Sequence, residues 1–181
     1  MKFIKHKQKL KGVYLIEQFP HSDKRGTFRR HFCSSQFKKI GLMDAIKQTN
    51  IAQNKKKHTL RGFHYYPPPN EENKIISCIK GSFYNIVLDL RKKSSTCYKW
   101  QSFKINENDY RSIFIPKGCA NAYLTLEDNT WILYYHSDIY NTKKDSAINY
   151  KDPYFKFQWP FKPKVISEKD LNSSFLNLNK K

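Results

Sequence analysis

The sequence predicts an all-β fold, and three observations predict it. Short apolar segments recur at intervals of about 8–12 residues. Turn-forming clusters separate them, such as Lys80-Gly81, Asn106-Glu107-Asn108-Asp109, Pro116-Lys117-Gly118 and Glu127-Asp128-Asn129. Almost no stretch carries the 3.6-residue apolar period of an amphipathic helix. Segments of this kind bury their apolar faces by closing into a barrel or stacking as a sandwich. No internal repeat and no linker divides the chain, so one domain is expected over residues 1–181, its tail after about residue 171 a short helix or frayed.

Taken in order, Lys11 to Gln18 reads as a first strand, and Phe19 to Gly26 as a loop rich in Pro, His, Ser and Asp. Thr27 to Cys33 reads as a second strand, in a region where Arg25, Arg29 and Arg30 concentrate half of the arginines. Ser34 to Gly41 begins with serine and ends with glycine, the start and stop signals of a short helix. Ala45 to Gln53 can be extended. Thr59 to Tyr66 (TLRGFHYY) is a strand followed by three prolines at 67–69, which have no N–H for a central ladder and force an irregular segment. Strands follow at Lys74 to Ile79, Ser82 to Asp89, Tyr98 to Ile105, Arg111 to Ile115, Cys119 to Leu126 and Thr130 to His136, after which the chain is loopy and aromatic-rich.

Composition narrows the function classes. At 181 residues with 39% hydrophobic content, the chain is large enough for a real core. No apolar run approaches the roughly 20 residues of a membrane helix, and the basic start MKFIKHKQKLKG has no apolar segment of a secretory signal behind it. Cytoplasm is therefore the expected compartment. Cys33, Cys78, Cys97 and Cys119 form no CxxC pair and read as thiols in a reducing environment. The net charge of +19 points to an anionic partner. Yet 28 of the 34 cations are lysines scattered through nearly every turn, so the charge reads as a solvated surface rather than a nucleic-acid interface.

The stretch from Thr59 to Tyr66 sets a guanidinium, a glycine and an imidazole within four residues, and Leu60 and Phe63 break strict alternation where the polar groups sit. Arginine grips an anion at two points, histidine moves protons near neutral pH, and glycine lets a backbone approach closely. His64 has no second histidine before His136, and Glu71 and Glu72 lie beyond the proline run, so no metal site is expected. There is no nucleophile elbow, P-loop or dinucleotide fingerprint. Acid–base chemistry is left, with His64, Asp89, Asp145, Asp170 and Tyr134 as candidates. Asp89 in the string LDLR also fits a purely structural partner of Arg91 or a turn, and periodicity does not separate these readings.

Several strings, in order, carry a resemblance. They are RGTF at 25–28, QTN at 48–50, TLRGFHYYPPP from 59, the lysine at 74 and GSFYNIVLDLR from 81. IPKGCANAYLTL from 115, ILYYHSDIY at 132–140, DP at 152, WP at 159 and ISEKD at 166–170 complete the series. Together they resemble the dTDP-4-dehydrorhamnose 3,5-epimerase family, the RmlC-like cupins, over roughly residues 10–170. The resemblance implies a metal-free jelly-roll (cupin) barrel without cofactor, acting as a homodimer with exchanged N-terminal strands. Its substrate is a nucleotide diphosphate-linked 4-keto-6-deoxy sugar, whose ketone acidifies the protons on C3 and C5. By the same resemblance His64 matches the general base, Asp170 the carboxylate that orients it, Tyr134 the acid on the far face and Lys74 the cation at the enolate oxygen. Arg61 matches a pyrophosphate contact. Arg25, Gln48 and Asn50 match nucleotide- and sugar-binding positions, and Asp145 and Lys169 lesser ones.

The chain also departs from the family pattern. Asn121 stands where a second active-site histidine is usual, Asn85 where aspartate is usual, and Arg30 where glutamate usually meets the nucleotide. Asn121 donates hydrogen bonds but shuttles no proton. The expectation is an epimerase of surface-polysaccharide biosynthesis with an altered substrate-reading shell, and GDP-linked heptoses or CDP-linked deoxy sugars are candidates beside dTDP sugars. A 3,4-ketoisomerase and a non-catalytic nucleotide-sugar-binding cupin are the alternatives.

Overall fold

The strands are more continuously apolar than a one-faced sheet requires, and the reason is what covers them. The computed structural model describes residues 2–43 and 45–176. In chain order its strands are β1 (Phe3–Lys7), β2 (Tyr14–Gln18), β3 (His21–Asp23), β4 (Gly26–Phe28), β5 (Gln48–Asn54), β6 (Leu60–Tyr65), β7 (Lys74–Lys80), β8 (Ser82–Asp89), β9 (Trp100–Asn106), β10 (Arg111–Ile115), β11 (Cys119–Thr125), β12 (Thr130–His136) and β13 (Ser146–Ala147). Helix α1 (Ser34–Lys39) lies between β4 and β5, and α2 (Glu168–Leu171) follows β13.

Two antiparallel sheets face each other as a jelly roll, one ordered β1-β2-β10-β7-β12-β5 and the other β13-β6-β11-β8-β9, while β3 and β4 pair as a separate hairpin. Between the sheets lie Val87, Ile76, Ile113, Ile132 and Phe83, all fully buried. Behind the five-stranded sheet the chain after β13 lays Tyr150, Phe155, Phe157 and Trp159 over Leu60, Phe63, Ile86 and Ala122. Behind the six-stranded sheet α1 packs Phe37 onto Phe3, Ile16, Ile75 and Phe114. The central strands are therefore covered on both faces, and all seven residues of β11 are buried. That is why apolar alternation fades along these strands. Phe63 is fully buried and stacks on Phe157 at 4.3 Å, and truncating a side chain placed so costs about 3–5 kcal/mol.

Most expected strands are present, and the differences have local causes. The first strand begins at Tyr14, because Leu10, Lys11 and Gly12 turn the chain out of the basic strand β1, which the sequence reading left unassigned. The segment expected as loop contains β3. The strand expected over 27–33 ends at Phe28, after which Arg29 turns inward to give its guanidinium to the carbonyls of Glu107 and Cys78. Helix α1 is capped by Cys33 rather than by serine, without a side-chain cap bond. The tail is held as far as it is described: Asn149 Nδ2 donates to the carbonyls of Leu171 and Ser173, and Asp152 accepts from the backbone N–H of Leu176. Residues 177–181 of the expected tail lie outside the described residues.

Candidate active site

A cavity of about 310 Å³ opens between the sheets, walled by β6 and β11 on one side and by β5, β7 and β12 on the other. In a regular strand Arg61 and His64, three residues apart, point to opposite faces. Here they line the same cavity because β6 carries one extra residue. Opposite β11, Tyr123 pairs with Arg61 and Asn121 with His64, so three steps on β6 match two on β11. This is a β-bulge, and it puts the side-chain phase right for both residues. Gly62 makes it possible. Its φ is +111°, and a Cβ there would stand 2.5 Å from the carbonyl oxygen of Asn121. The broken alternation of LRGFHY is the bulge read in one dimension.

The bulge also turns the Gly62 N–H outward to a carboxylate. Asp170 Oδ2 accepts from Gly62 N at 3.2 Å, and Asp170 Oδ1 stands 2.7 Å from His64 Nε2. Asp170 is delivered by α2, whose N-cap Ser167 accepts from the Asp170 N–H. The segment before α2 is docked by the bond from Leu60 N to the Val165 carbonyl at 2.8 Å. Burial alone raises the Asp170 pKa, but the bonds from His64, Gly62 and Ser167 outweigh it and hold the carboxyl below its ordinary value. An ionised carboxylate only accepts, so His64 Nε2 carries the proton and Nδ1 is left as the bare nitrogen.

From the opposite sheet Tyr134 (β12) lines the cavity beside Tyr123, with the Arg61 guanidinium close by. Asn54 Oδ1 accepts from Tyr123 Oη and from Arg61 Nε, both at 3.1 Å. Burial raises the Tyr134 pKa well above the ordinary tyrosine value, and the neighbouring Tyr123 adds to this, while the Arg61 cation opposes it. The phenol is thus protonated at neutral pH, with a cation near enough to ease its loss. Lys74, almost wholly buried, extends its ammonium into the same space, 3.4 Å from Glu72 Oε1.

Of the residues predicted from sequence, His64, Tyr134, Lys74, Arg61, Asn50, Asn121, Asp145 and Lys169 line this cavity, and Asp170 stands directly behind His64. Gln48 sits at the rim, bonded to Asn50. Lys169 pairs with Asp145 at 2.5 Å, which raises the lysine pKa. Asn121 Nδ2 donates to Asn85 Oδ1 at 3.4 Å, so the two amides that replace an expected His–Asp pair do bond each other, although the buried Nδ2 of Asn85 has no partner among the described residues. Arg25 and Arg30 are exposed, outside this chain's cavity. Arg25 lies on the β3–β4 hairpin, paired with Asp23. Asp89 stands apart as a structural hub, accepting from Arg91, Ser94 and Thr96. Sequence reasoning missed Glu72, His136 and Tyr140 as cavity residues. His136 was within reach of it, since a two-residue strand period puts it on the face of Tyr134. Glu72, on an irregular proline-rich loop, carried no such signal.

Comparison with known proteins agrees with this geometry. Residues 7–177 match a family model described as dTDP-4-dehydrorhamnose 3,5-epimerase. A dTDP-4-dehydrorhamnose 3,5-epimerase of Methanothermobacter thermautotrophicus is 31% identical, over 92% of this chain and 90% of its own length. The crystal structure of the Bacillus anthracis dTDP-4-dehydrorhamnose 3,5-epimerase, with TDP and PPi bound, is 25% identical and superposes with a TM-score of 0.92 over 96% of this chain and 99% of that one. The Legionella pneumophila dTDP-6-deoxy-D-glucose-3,5-epimerase, in complex with dTDP-4-keto-L-rhamnose, is 27% identical with a TM-score of 0.91 over 98% and 94% of the two chains. A matched jelly roll, a family model spanning nearly the whole chain and relatives of this length lead to one conclusion: the chain belongs to the dTDP-4-dehydrorhamnose 3,5-epimerase family and is an isomerase.

Proposed function

We propose that this protein inverts C3, C5 or both in a nucleotide diphosphate-linked 4-keto-6-deoxy sugar, with dTDP as the nucleotide that its relatives' bound ligands favour. The observation that carries the reading is a carboxylate-oriented imidazole on one wall of a cavity whose other wall presents a protonated phenol and a buried ammonium. His64 removes the proton from the carbon beside the ketone. The electron pair moves into the ring and on to O4, where Lys74 stabilises the negative charge. Tyr134 returns a proton to the carbon from the opposite face, leaving a phenolate eased by Arg61. Asp170 keeps the His64 proton on Nε2 and stabilises the imidazolium that forms. Arg61 grips the pyrophosphate, and Gln48, Asn50, Asn121, Asp145 and Lys169 read the sugar and nucleotide. The site uses no metal.

A homodimer belongs to this reading. Arg25 has a side chain 82% exposed and Phe28 is 68% exposed, both on a hairpin that packs poorly on its own chain. In the dimer the hairpin and the exchanged N-terminal strands bring Arg25 and Arg30 to the nucleotide end of the partner's cavity. The chain as a whole acts as one domain. Among the described residues no helix is long and apolar enough to cross a membrane.

The test is solvent exchange. In heavy water, dTDP-4-keto-6-deoxyglucose should gain deuterium at C3, C5 or both in the presence of the protein, and His64→Ala should abolish the gain. Product NMR separates the outcomes. A moved carbonyl would make the protein a 3,4-ketoisomerase, and binding without exchange would make it a non-catalytic cupin.

A further inference from the structure

The Tyr134 wall carries an imidazole whose tautomer follows from a chain of hydrogen bonds with no freedom of direction. The chain starts at the backbone N–H of Tyr140, which can only donate, and does so to Gln48 Oε1 at 2.7 Å. That fixes the Gln48 amide, whose Nε2 donates to Asn50 Oδ1 at 3.2 Å. Asn50 is fixed in turn, and its Nδ2 faces His136 Nε2 at 3.4 Å. An amide nitrogen only donates, so His136 Nε2 must be bare. The other end agrees: His136 Nδ1 lies 3.0 Å from Glu72 Oε2, a carboxylate that only accepts, so Nδ1 carries the proton. Glu72 is 7% exposed and its second oxygen meets Lys74, so the carboxylate is fully engaged. The His136 ring stacks on that of Tyr134, with centroids 5.8 Å apart and planes at 15°.

His136, a lining residue of the cavity, is thus placed as the Nδ1–H tautomer with Nε2 bare, backed by a buried carboxylate, as His64 is by Asp170 on the other wall. Among the described residues the one hydrogen bond to that nitrogen is long and comes from an exposed amide, which a substrate can displace. Tyr134 cannot fill the same office. Burial keeps its phenol protonated, so it is a ready acid and a poor resting base. The neighbouring position on the five-stranded sheet holds Asn121 and Asn85, which titrate nothing.

Building on the proposed epimerase reading, we propose that His136, oriented by Glu72, is a second base of this site, serving the substrate face turned away from His64. In that step the C–H bond beside the ketone breaks and its electron pair forms the enolate double bond. The carbonyl pair moves to O4, and the proton goes to His136 Nε2, giving an imidazolium whose Nδ1–H stays on Glu72. The imidazolium exchanges that proton with solvent and returns it to the same face of the carbon, so this step exchanges the product epimer without inverting it. The site therefore deprotonates either epimer with an imidazole.

The experiment measures initial wash-in of deuterium from heavy water, starting separately from dTDP-4-keto-6-deoxyglucose and from its epimerised product. His64→Asn should lose exchange from the first and keep it from the second. His136→Gln should keep exchange from the first, which also reports that it is folded, and lose about 100-fold from the second. Exchange from the product within twofold of wild type in His136→Gln overturns the second base while leaving the epimerase reading standing. No exchange from either epimer with wild-type protein overturns both. If His136→Gln loses both exchanges, imidazole nitrogen shifts of the wild-type protein decide. A protonated Nδ1 with a bare Nε2 on His136 sustains the assignment, and a protonated Nε2 overturns it.

Discussion

The two walls of the cavity present similar acid–base groups by different structural means. On the five-stranded side, His64 depends on an irregularity and on a distant segment: a bulge at Gly62 sets its phase, and Asp170 arrives from α2, 106 residues away. On the six-stranded side, Tyr134 and His136 sit two apart on a regular stretch of β12, paired in register with Asn50 and Gln48 of β5. The first wall is assembled and the second is simply a strand face. The difference teaches where each is fragile. The His64 wall fails if either the bulge or the docking of the tail fails, whereas the Tyr134 wall is disturbed only by changes to the groups that charge it.

In the proposed mechanism Lys74 is the group that both walls share, because either proton transfer passes through the same enolate. Lys74→Met should therefore lower exchange and inversion together, by about 10²–10³ in kcat/KM. A larger loss from one epimer than from the other would assign the ammonium to a single wall. Asp170→Asn separates the walls. It should reduce exchange from the starting epimer by about 10- to 100-fold, with little effect on the product-side exchange, measured in heavy water as above.

Gly62→Ala probes the bulge itself. A Cβ cannot fit 2.5 Å from the Asn121 oxygen at a φ of +111°, so stability should fall by about 3 kcal/mol in chemical denaturation, and the same exchange as for Asp170→Asn should suffer first.

The smallest effect on catalysis is expected away from both walls. Asp89 is fully buried, and burial raises its pKa, but the bonds from Arg91, Ser94 and Thr96 win and lower it from 3.8 to about 2. A carboxyl depressed on folding stabilises above its unfolded value and loses that contribution as pH falls through the folded one. Asp89 should thus contribute about 2 kcal/mol that is complete above about pH 4 and gone near pH 2. Asp89→Asn should lower Tm by about 4–8 °C at neutral pH, with the difference from wild type vanishing toward pH 2 and exchange rates unchanged for the folded protein.

Much of this was legible in the sequence because β-strands write their periods plainly. Ser82–Asp89 and Thr130–His136 are bounded as expected, since tight turns with Gly81 and Asn129 punctuate them. The bulge was visible as a fault in alternation at Arg61-Gly62-Phe63, although only pairing with β11 shows what the fault does. What could not be read was long-range. Nothing local says that Asp89 is tied into a hub while Asp170 meets His64, and only the ordered resemblance of the ISEKD string pointed to the second. Nor does a sequence show that Glu72, beyond three prolines, turns back to His136. The basic strand β1 was hidden for a different reason: an exposed edge strand carries charge, and only Phe3 of its five residues is buried.

The division of labour between the walls is tested most directly by Tyr134→Phe, followed in heavy water with dTDP-4-keto-6-deoxyglucose. Removing the phenol leaves His64 and Asp170 in place, so the starting epimer should still exchange its proton, now largely with retention of configuration, while inversion falls about 100-fold. Inversion at the wild-type rate, or exchange lost in step with inversion, would contradict a proton taken by one wall and returned by the other.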